Sequence, residues 1–423
     1  MTKREAVPRT LMSRLASLRQ GAIVPFLFVL PFLFGLGAKL IRAKQWFGDY
    51  QAMACAGLKV QAHQPMYAVH LACPGMHASA FVYIPAVANI FAALEHLLSE
   101  PVVCALYAVL FFISLAALVV VPLRFAPGAW RDKLPFAVFI GQATVTWGNV
   151  AVLLHAAILG AALVLDTAPW LFVIAVACAA AVKPVFLTYL AVILLSDMPW
   201  LKRIGLMLAG AIAGLAPTFV FIATDPGTAY QWAQVLTHFV YDVTPGSGFY
   251  GWLGFLGVRG DTLLAQAMFL VYAGALALSA LYIAYRLKLD GRARLWLGLG
   301  VAALLIPRIM SQDVFLLAPG LVIVAQRGAL LATSRDAPAG KTSRTLLRYG
   351  PNIVWGLCAV ALMFGWIGRD RPVDSLALLG LSLYLIGLGA TLAGEWAAQA
   401  AKTRNALWSP LNARAPAKSE TQA

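Results

Sequence analysis

The sequence predicts an all-α polytopic membrane protein, and three observations carry that expectation. Of 423 residues, 61% are hydrophobic and only 12% are charged, against about 45–50% and about 25% in ordinary soluble domains. The mean hydropathy is +0.80. The apolar residues fall in long charge-free runs, with basic residues in the short stretches between them. A water-soluble chain of this length needs more polar surface than 49 ionised side chains provide. Soluble enzymes, disordered chains, collagen-like proteins and small disulfide scaffolds are thereby excluded.

A bilayer core of about 30 Å needs about 20 mostly apolar residues per helix. The runs 22–38, 101–123, 134–165, 167–182 continuing past Lys183 to 196, 204–224, 262–285, 295–307, 314–325, 350–368 and 375–394 can serve, with a weaker one at 81–99 that carries Glu95 and His96. The 134–165 run is too long for one helix and contains Trp147-Gly148-Asn149, so it divides in two. The expectation is about twelve spans, those at 295–307 and 314–325 being short. The N-terminus (Lys3, Arg4, Arg9, Arg14, Arg19) resembles a signal-peptide n-region. Lys39, Arg42 and Lys44 follow where a small-residue cleavage site would stand, so it reads as an uncleaved first span.

The charge of +15 acts on topology rather than on nucleic acid. With the N-terminus inside, 20 Lys and Arg fall on the cytoplasmic side and 11 outside, as the positive-inside rule requires. One loop dissents: Arg124, Arg131 and Lys133 are placed outside. The chain then divides into a basic N-terminus 1–21, a module 22–224 with outer loop 43–80, an outer loop 225–261, spans 262–398 with a Ser/Arg/Gly-rich linker within 326–349, and a tail 399–423. Both long outer loops are expected to hold interfacial helices. The aromatics of 225–261 are expected to pack over the first outer segment as the roof of a cavity open to lipid.

Five cysteines show no metal-type spacing. Cys55 and Cys73 are the two within the first outer segment, where an oxidising compartment allows a disulfide. His63, His70 and His77 recur every seven residues, but Pro65, Pro74 and Gly75 prevent a shared helix face, so no metal is expected. Gly210 and Gly214 form a small-xxx-small pair suited to helix packing.

Asp49 stands in Trp46-Phe47-Gly48-Asp49-Tyr50, where the first span leaves the membrane. Its alternatives are a reactive carboxylate at the interface, or a helix cap or partner for Arg42 or Lys44. Lys183, in Ala181-Val182-Lys183-Pro184, lies too deep in its run for easy snorkelling. A lysine at a span centre costs about 2.5–3.5 kcal/mol on insertion scales, so it is expected to face a cavity or partner. Arg308 and Asp313 bracket the turn between the two short spans. Arg308 either holds a phosphate or pairs with Asp313.

Together these features resemble the GT-C glycosyltransferases, in particular glycosyltransferase family 87, which includes polyprenyl-phosphate-mannose-dependent mannosyltransferases. The resemblance rests on Asp49-Tyr50 after the first span, Tyr67, Phe81-Val82-Tyr83-Ile84-Pro85, Gly141-Gln142 with Gly148-Asn149, Lys183-Pro184 and Pro307-Arg308 followed by Asp313, covering most of 20–330. Ile84 stands where the family has a first proline, and His63-Gln64-Pro65-Met66 where it often has a glycine before the tyrosine.

The resemblance implies a GT-C fold, a multi-pass chain in the cytoplasmic (inner) membrane, and inverting transfer of a sugar from a polyprenyl-phosphate donor to a lipid or glycan acceptor at the outer face. Asp49 would be the base, and Lys183 and Arg308 would bind the donor phosphate. Tyr50, Tyr83, Gln142, Asn149 and Asp313 would touch substrate. No cofactor or metal is implied, and the chain is expected to act as a monomer among membrane lipids. Two other readings stay open. A polysaccharide ligase or polymerase would rely on basic residues more than on one carboxylate. A flippase for a lipid-linked sugar would show paired intramembrane charges and repeated halves.

Overall fold

The computed structural model describes residues 23–42, 46–244, 246–367 and 372–412; the basic segment 1–21, Lys44 and the tail beyond 412 lie outside the described residues. Those described form helices joined by turns and by a longer loop over 62–84, without a strand among them. Among the described residues, six helices are long and apolar enough to cross a membrane. The first, within Val24–Ile41, is a 3₁₀ turn running into α1 (Leu30–Ile41). The outer segment then holds α2 (Gly48–Gln61) and α3 (Pro85–Leu97), and α4 (Glu100–Phe125) is the second long helix.

The weak run at 81–99 is therefore not a long helix. α3 has 13 residues, opens on Pro85 and lies against α2, where Gly57 admits the backbone of Phe91 and Ala92. Residues 134–150 also depart from expectation. Pro135 starts a 3₁₀ turn over Leu134–Phe139, and a four-residue helix Ala143–Thr146 precedes α5 (Ala151–Ala162).

The run from 167 to 196 breaks at Lys183. α6 (Pro169–Val182) ends there, a 3₁₀ turn covers Pro184–Tyr189, and α7 is Leu190–Leu195. Proline lacks the N–H that a helix needs and pushes the preceding residue towards extended backbone; Lys183 has φ −139° and ψ 105°.

The chain continues through α8 (Trp200–Thr224), α9 (Pro226–Thr237), a π-helical turn His238–Val243 and α10 (Phe249–Phe255). α11 (Leu263–Arg286), α12 (Gly291–Leu304), α13 (Leu317–Thr333), α14 (Lys341–Ile367) and α15 (Pro372–Asn412) complete it. The linker expected within 326–349 is mostly helix, leaving 334–340 as the connection. Gly210 and Gly214 of α8 lie against Leu190 and Ala180, so that pair serves packing.

At one end of the bundle the loops are tied by charge. Arg294 meets Asp197 at 2.5 Å, Arg327 meets Asp290 at 3.8 Å, and Arg292 donates to the Phe125 carbonyl at 2.6 Å. Gln326 donates to Asp132 at 2.7 Å. Loop 124–133 thus lies at the same end as 197–203, 286–294 and 326–340, which corrects its expected placement on the opposite side. The physical reason is the misread run at 81–99: removing that crossing reverses the parity of loop 124–133, and its basic residues join the basic end. Lys133 is buried there and caps α4, donating to the carbonyls of Pro122, Leu123 and Ala126 at 2.9, 3.0 and 2.9 Å. Burial pushes its ammonium down to about 8.

Three short hairpins stand between the long helices: 134–162, 169–195 and 291–333. Their tips carry Asn149, Lys183 and the turn 305–316, and these tips converge at the other end of the bundle.

Candidate active site

The site forms where the segment after α1 docks on the hairpin tips. Phe47 takes a left-handed conformation (φ 59°) and donates its N–H to Thr146 O at 2.7 Å, while Asp49 N–H donates to Trp147 O at 2.9 Å. The start of α2 therefore hangs from the backbone of the first tip. Gly148 (φ 59°) permits this, because a Cβ there would run into the Phe47 ring. Its carbonyl accepts from the Tyr107 hydroxyl at 2.6 Å.

That docking places Asp49 beside Asn149, a hundred residues away. Asn149 Nδ2 donates to Asp49 Oδ2 at 2.5 Å, and Ser79 Oγ donates to Asp49 Oδ1 at 3.0 Å. Asn149 Oδ1 accepts from Lys183 Nζ at 2.7 Å and from Ala151 N–H at 2.9 Å. Two donors on one oxygen fix the amide, so its NH₂ must face the carboxylate. Lys183 Nζ also lies 5.4 Å from the centre of the Tyr83 ring. Burial pushes the Asp49 carboxyl up from its ordinary value, and Lys183 and the hydrogen bonds from Ser79 and Asn149 pull it back. Asp49, Ser79, Asn149, Lys183 and Arg308 all keep partial exposure, whereas Tyr83 and Tyr107 behind them are buried. The polar groups thus remain partly open at this end of the bundle.

Arg308 is held from segment 225–261. Its Nε donates to Thr244 O at 2.5 Å and its Nη2 to Thr244 Oγ1. Ser247 N–H donates to Ile309 O at 2.7 Å and Tyr250 N–H to Pro307 O at 2.9 Å. Gly248 lets the two backbones touch. Arg308 acts electrostatically on Asp49, Lys183 and Tyr83. The segment 225–261 also reaches the chain that follows 43–80: Trp232 Nε1 donates to Val82 O at 3.0 Å. A cleft of about 700 Å³ opens between them, lined by Tyr67, Tyr230, Gln234, His238 and Asp242 among others.

The other expected residues divide. Asp313 is buried and accepts from His155 Nε2 at 2.9 Å and Met310 N–H at 2.8 Å; it acts on Lys183 electrostatically. Tyr50 turns into the core between Phe91 and Tyr107, and is 1% exposed. Gln142 packs against Gly35 of α1, apart from the hydrogen bonds of Asp49. Cys55 and Cys73 are bonded, with Cα atoms 5.7 Å apart, and close the loop that leads to Ser79. Among the described residues no cluster of three or more His, Cys, Asp or Glu is arranged to hold a metal.

Sequence reasoning missed Ser79, Thr244, His155 and Tyr189. The Tyr189 hydroxyl bonds His155 Nδ1 at 2.7 Å, deep in the bundle. His155 had a signal, as a histidine inside the strongly apolar run 134–165, where polar residues are rare and usually functional. Ser79, Thr244 and Tyr189 are ordinary residues for their segments and carried none.

Fold and site together define a multi-pass helical membrane protein with a carboxylate–amide–ammonium cluster at one end. No family model, curated protein or solved structure matches the chain.

Proposed function

We propose that the chain is an inverting glycosyltransferase that takes a sugar from a polyprenyl-phosphate donor at the outer face of the cytoplasmic membrane. The observation that carries this reading is one carboxylate, Asp49, held by Ser79 and Asn149 with the Lys183 ammonium on the far side of the same amide. In this reading the end bearing Arg292, Arg294 and Arg327 faces the cytoplasm, in line with the positive-inside rule. The six long helices and the six arms of the three hairpins then make twelve crossings, in a GT-C-like arrangement.

A sugar hydroxyl is a weak nucleophile at neutral pH. Asp49 removes its proton as the oxygen attacks C1 from the face opposite the phosphate. The C1–O bond to phosphate breaks, its electron pair leaves with the polyprenyl phosphate, and C1 inverts. This leaving group needs little protonation, so one carboxylate suffices where inverting glycosidases use an acid and a base. Lys183 and Arg308 stabilise the charge that gathers on phosphate. Both cations are partly withdrawn from solvent, which strengthens these contacts relative to open water.

The test is incubation of purified protein in detergent, without a membrane gradient, with a panel of synthetic polyprenyl-phosphate sugars and neutral or lipid-linked glycan acceptors. Release of polyprenyl phosphate with transfer of sugar supports the reading; gradient-dependent movement of intact donor without cleavage would support a flippase.

A further inference from the structure

We infer that His155 is a positioning residue for this site: held by Tyr189, it orients Asp313 and thereby the turn that presents Arg308. The inference rests on reading that turn as part of the donor-phosphate cradle.

Three hydrogen bonds run in series. Tyr189 OH meets His155 Nδ1 at 2.7 Å, His155 Nε2 meets Asp313 Oδ1 at 2.9 Å, and Asp313 Oδ2 accepts Met310 N–H at 2.8 Å. An ionised carboxylate only accepts, so Nε2 is the donor and Nδ1 is left for the tyrosine hydroxyl. Each member comes from a different hairpin: His155 from α5, Tyr189 from the 3₁₀ turn beyond Lys183, Asp313 from the turn before α13. His155 lies six residues past Asn149, and Tyr189 six past Lys183. The network therefore joins the three hairpins just behind the tips that carry the site.

Its surroundings leave little freedom. Relative exposures of His155, Tyr189 and Asp313 are 1%, 0% and 7%. The imidazole lies 4.8 Å from the Phe186 ring and 5.6 Å from the Tyr189 ring, centre to centre. Apolar side chains of similar volume would fill this space without burying a carboxylate, which is costly to desolvate. What the polar set adds is direction. Asp313 has one oxygen on His155 and the other on the backbone of the turn, so the position of His155 is passed to Met310 and to Arg308 two residues before it. The same carboxylate acts electrostatically on Lys183. A shift of the turn would thus reach both cations.

The test compares wild type with His155→Phe, His155→Gln, Tyr189→Phe and Arg308→Ala, all purified in detergent and checked for unfolding temperature. The readouts are the Kd for a short polyprenyl phosphate, donor KM against kcat, and hydrogen–deuterium exchange of 306–314. His155→Phe is expected to raise Kd and donor KM by about tenfold or more, the scale of losing one charge-assisted contact, with a smaller change in kcat and faster exchange in 306–314. His155→Gln, which keeps a donor for Asp313, should recover most of both. If His155→Phe does not fold, Tyr189→Phe carries the test, with the same direction and a smaller size. Wild-type affinity and exchange in His155→Phe, or in Tyr189→Phe where it alone folds, alongside weakened binding in Arg308→Ala, would overturn the inference. A wild type that neither binds nor turns over the donor overturns the transferase reading instead; exchange in 306–314 then decides on its own whether His155 holds the turn.

Discussion

Lys183 Nζ donates to Asn149 Oδ1 at 2.7 Å, and this bond joins the tips of two hairpins that lie 34 residues apart in the chain. The same amide passes its NH₂ to Asp49. One neutral side chain therefore bridges the carboxylate and the ammonium. A direct pair would blunt both: the carboxylate would lose basicity and the ammonium would turn from the phosphate. The amide keeps them close enough to act on one substrate.

Asn149→Leu removes that bridge while keeping much of its volume. Hydrogen bonds to charged groups are worth about 1.5–3 kcal/mol, so transfer should fall by roughly 10–100-fold. Steady-state kinetics on the purified variant measure this, and an unchanged rate would show that the bridge is incidental.

Lys183→Ala and Arg308→Ala should each raise donor KM by about tenfold or more, since each removes a charge-assisted contact to phosphate. The acceptor KM should move little. If both variants keep wild-type donor kinetics, neither cation binds the phosphate.

The pH profile follows from the environment of Asp49. Burial raises its pKa and Lys183 lowers it, with burial the larger. A base acts when deprotonated, so activity is lost as pH falls through the raised value. The acid limb of kcat/KM should therefore lie above the ordinary aspartate value of about 3.9. Lys183→Ala removes a cation that favours the charged form, and should move that limb further up. A limb at or below the ordinary value would contradict this.

Cys55 and Cys73 close a loop whose ends are 18 residues apart. A cross-link over about 15 residues is worth about 3 kcal/mol in the chain-entropy account. Cys73→Ala should lower stability by about that amount, read as a lower unfolding temperature that reducing agent reproduces in wild type. Because Ser79 follows in the same loop, activity should fall as well.

How much of this was legible in the sequence depends on range. The membrane class and the long helices were readable, because hydropathy acts locally; the run 167–196 reads as one span, whereas Pro184 ends the helix at Lys183 and makes two arms of it. Asp49, Lys183, Asn149 and Arg308 stand out by residue type and position; hydrogen bonds join the first three, and Arg308 acts on Asp49 and Lys183 electrostatically. The 81–99 segment was misread because its composition resembles a weak span, while the short helix it forms is set by packing on Gly57. Tyr50 was misplaced because its neighbour Asp49 faces Ser79 and Asn149, and one residue along a helix turns about 100°. The Tyr189–His155–Asp313 chain needs contacts 34 and 158 residues apart, which no local pattern encodes.

The central claim is that Asp49 takes the acceptor proton. Asp49→Asn keeps the size of the side chain and its bond from Ser79, and removes the basicity. It should fold, bind a polyprenyl-phosphate sugar with wild-type affinity, and transfer at least about 100-fold more slowly, the range of general-base catalysis. Single-turnover transfer by the purified variant, with donor affinity measured on the same sample, tests this most directly. Loss of transfer with binding intact is the predicted result; transfer near the wild-type rate would make Asp49 structural and contradict the mechanism.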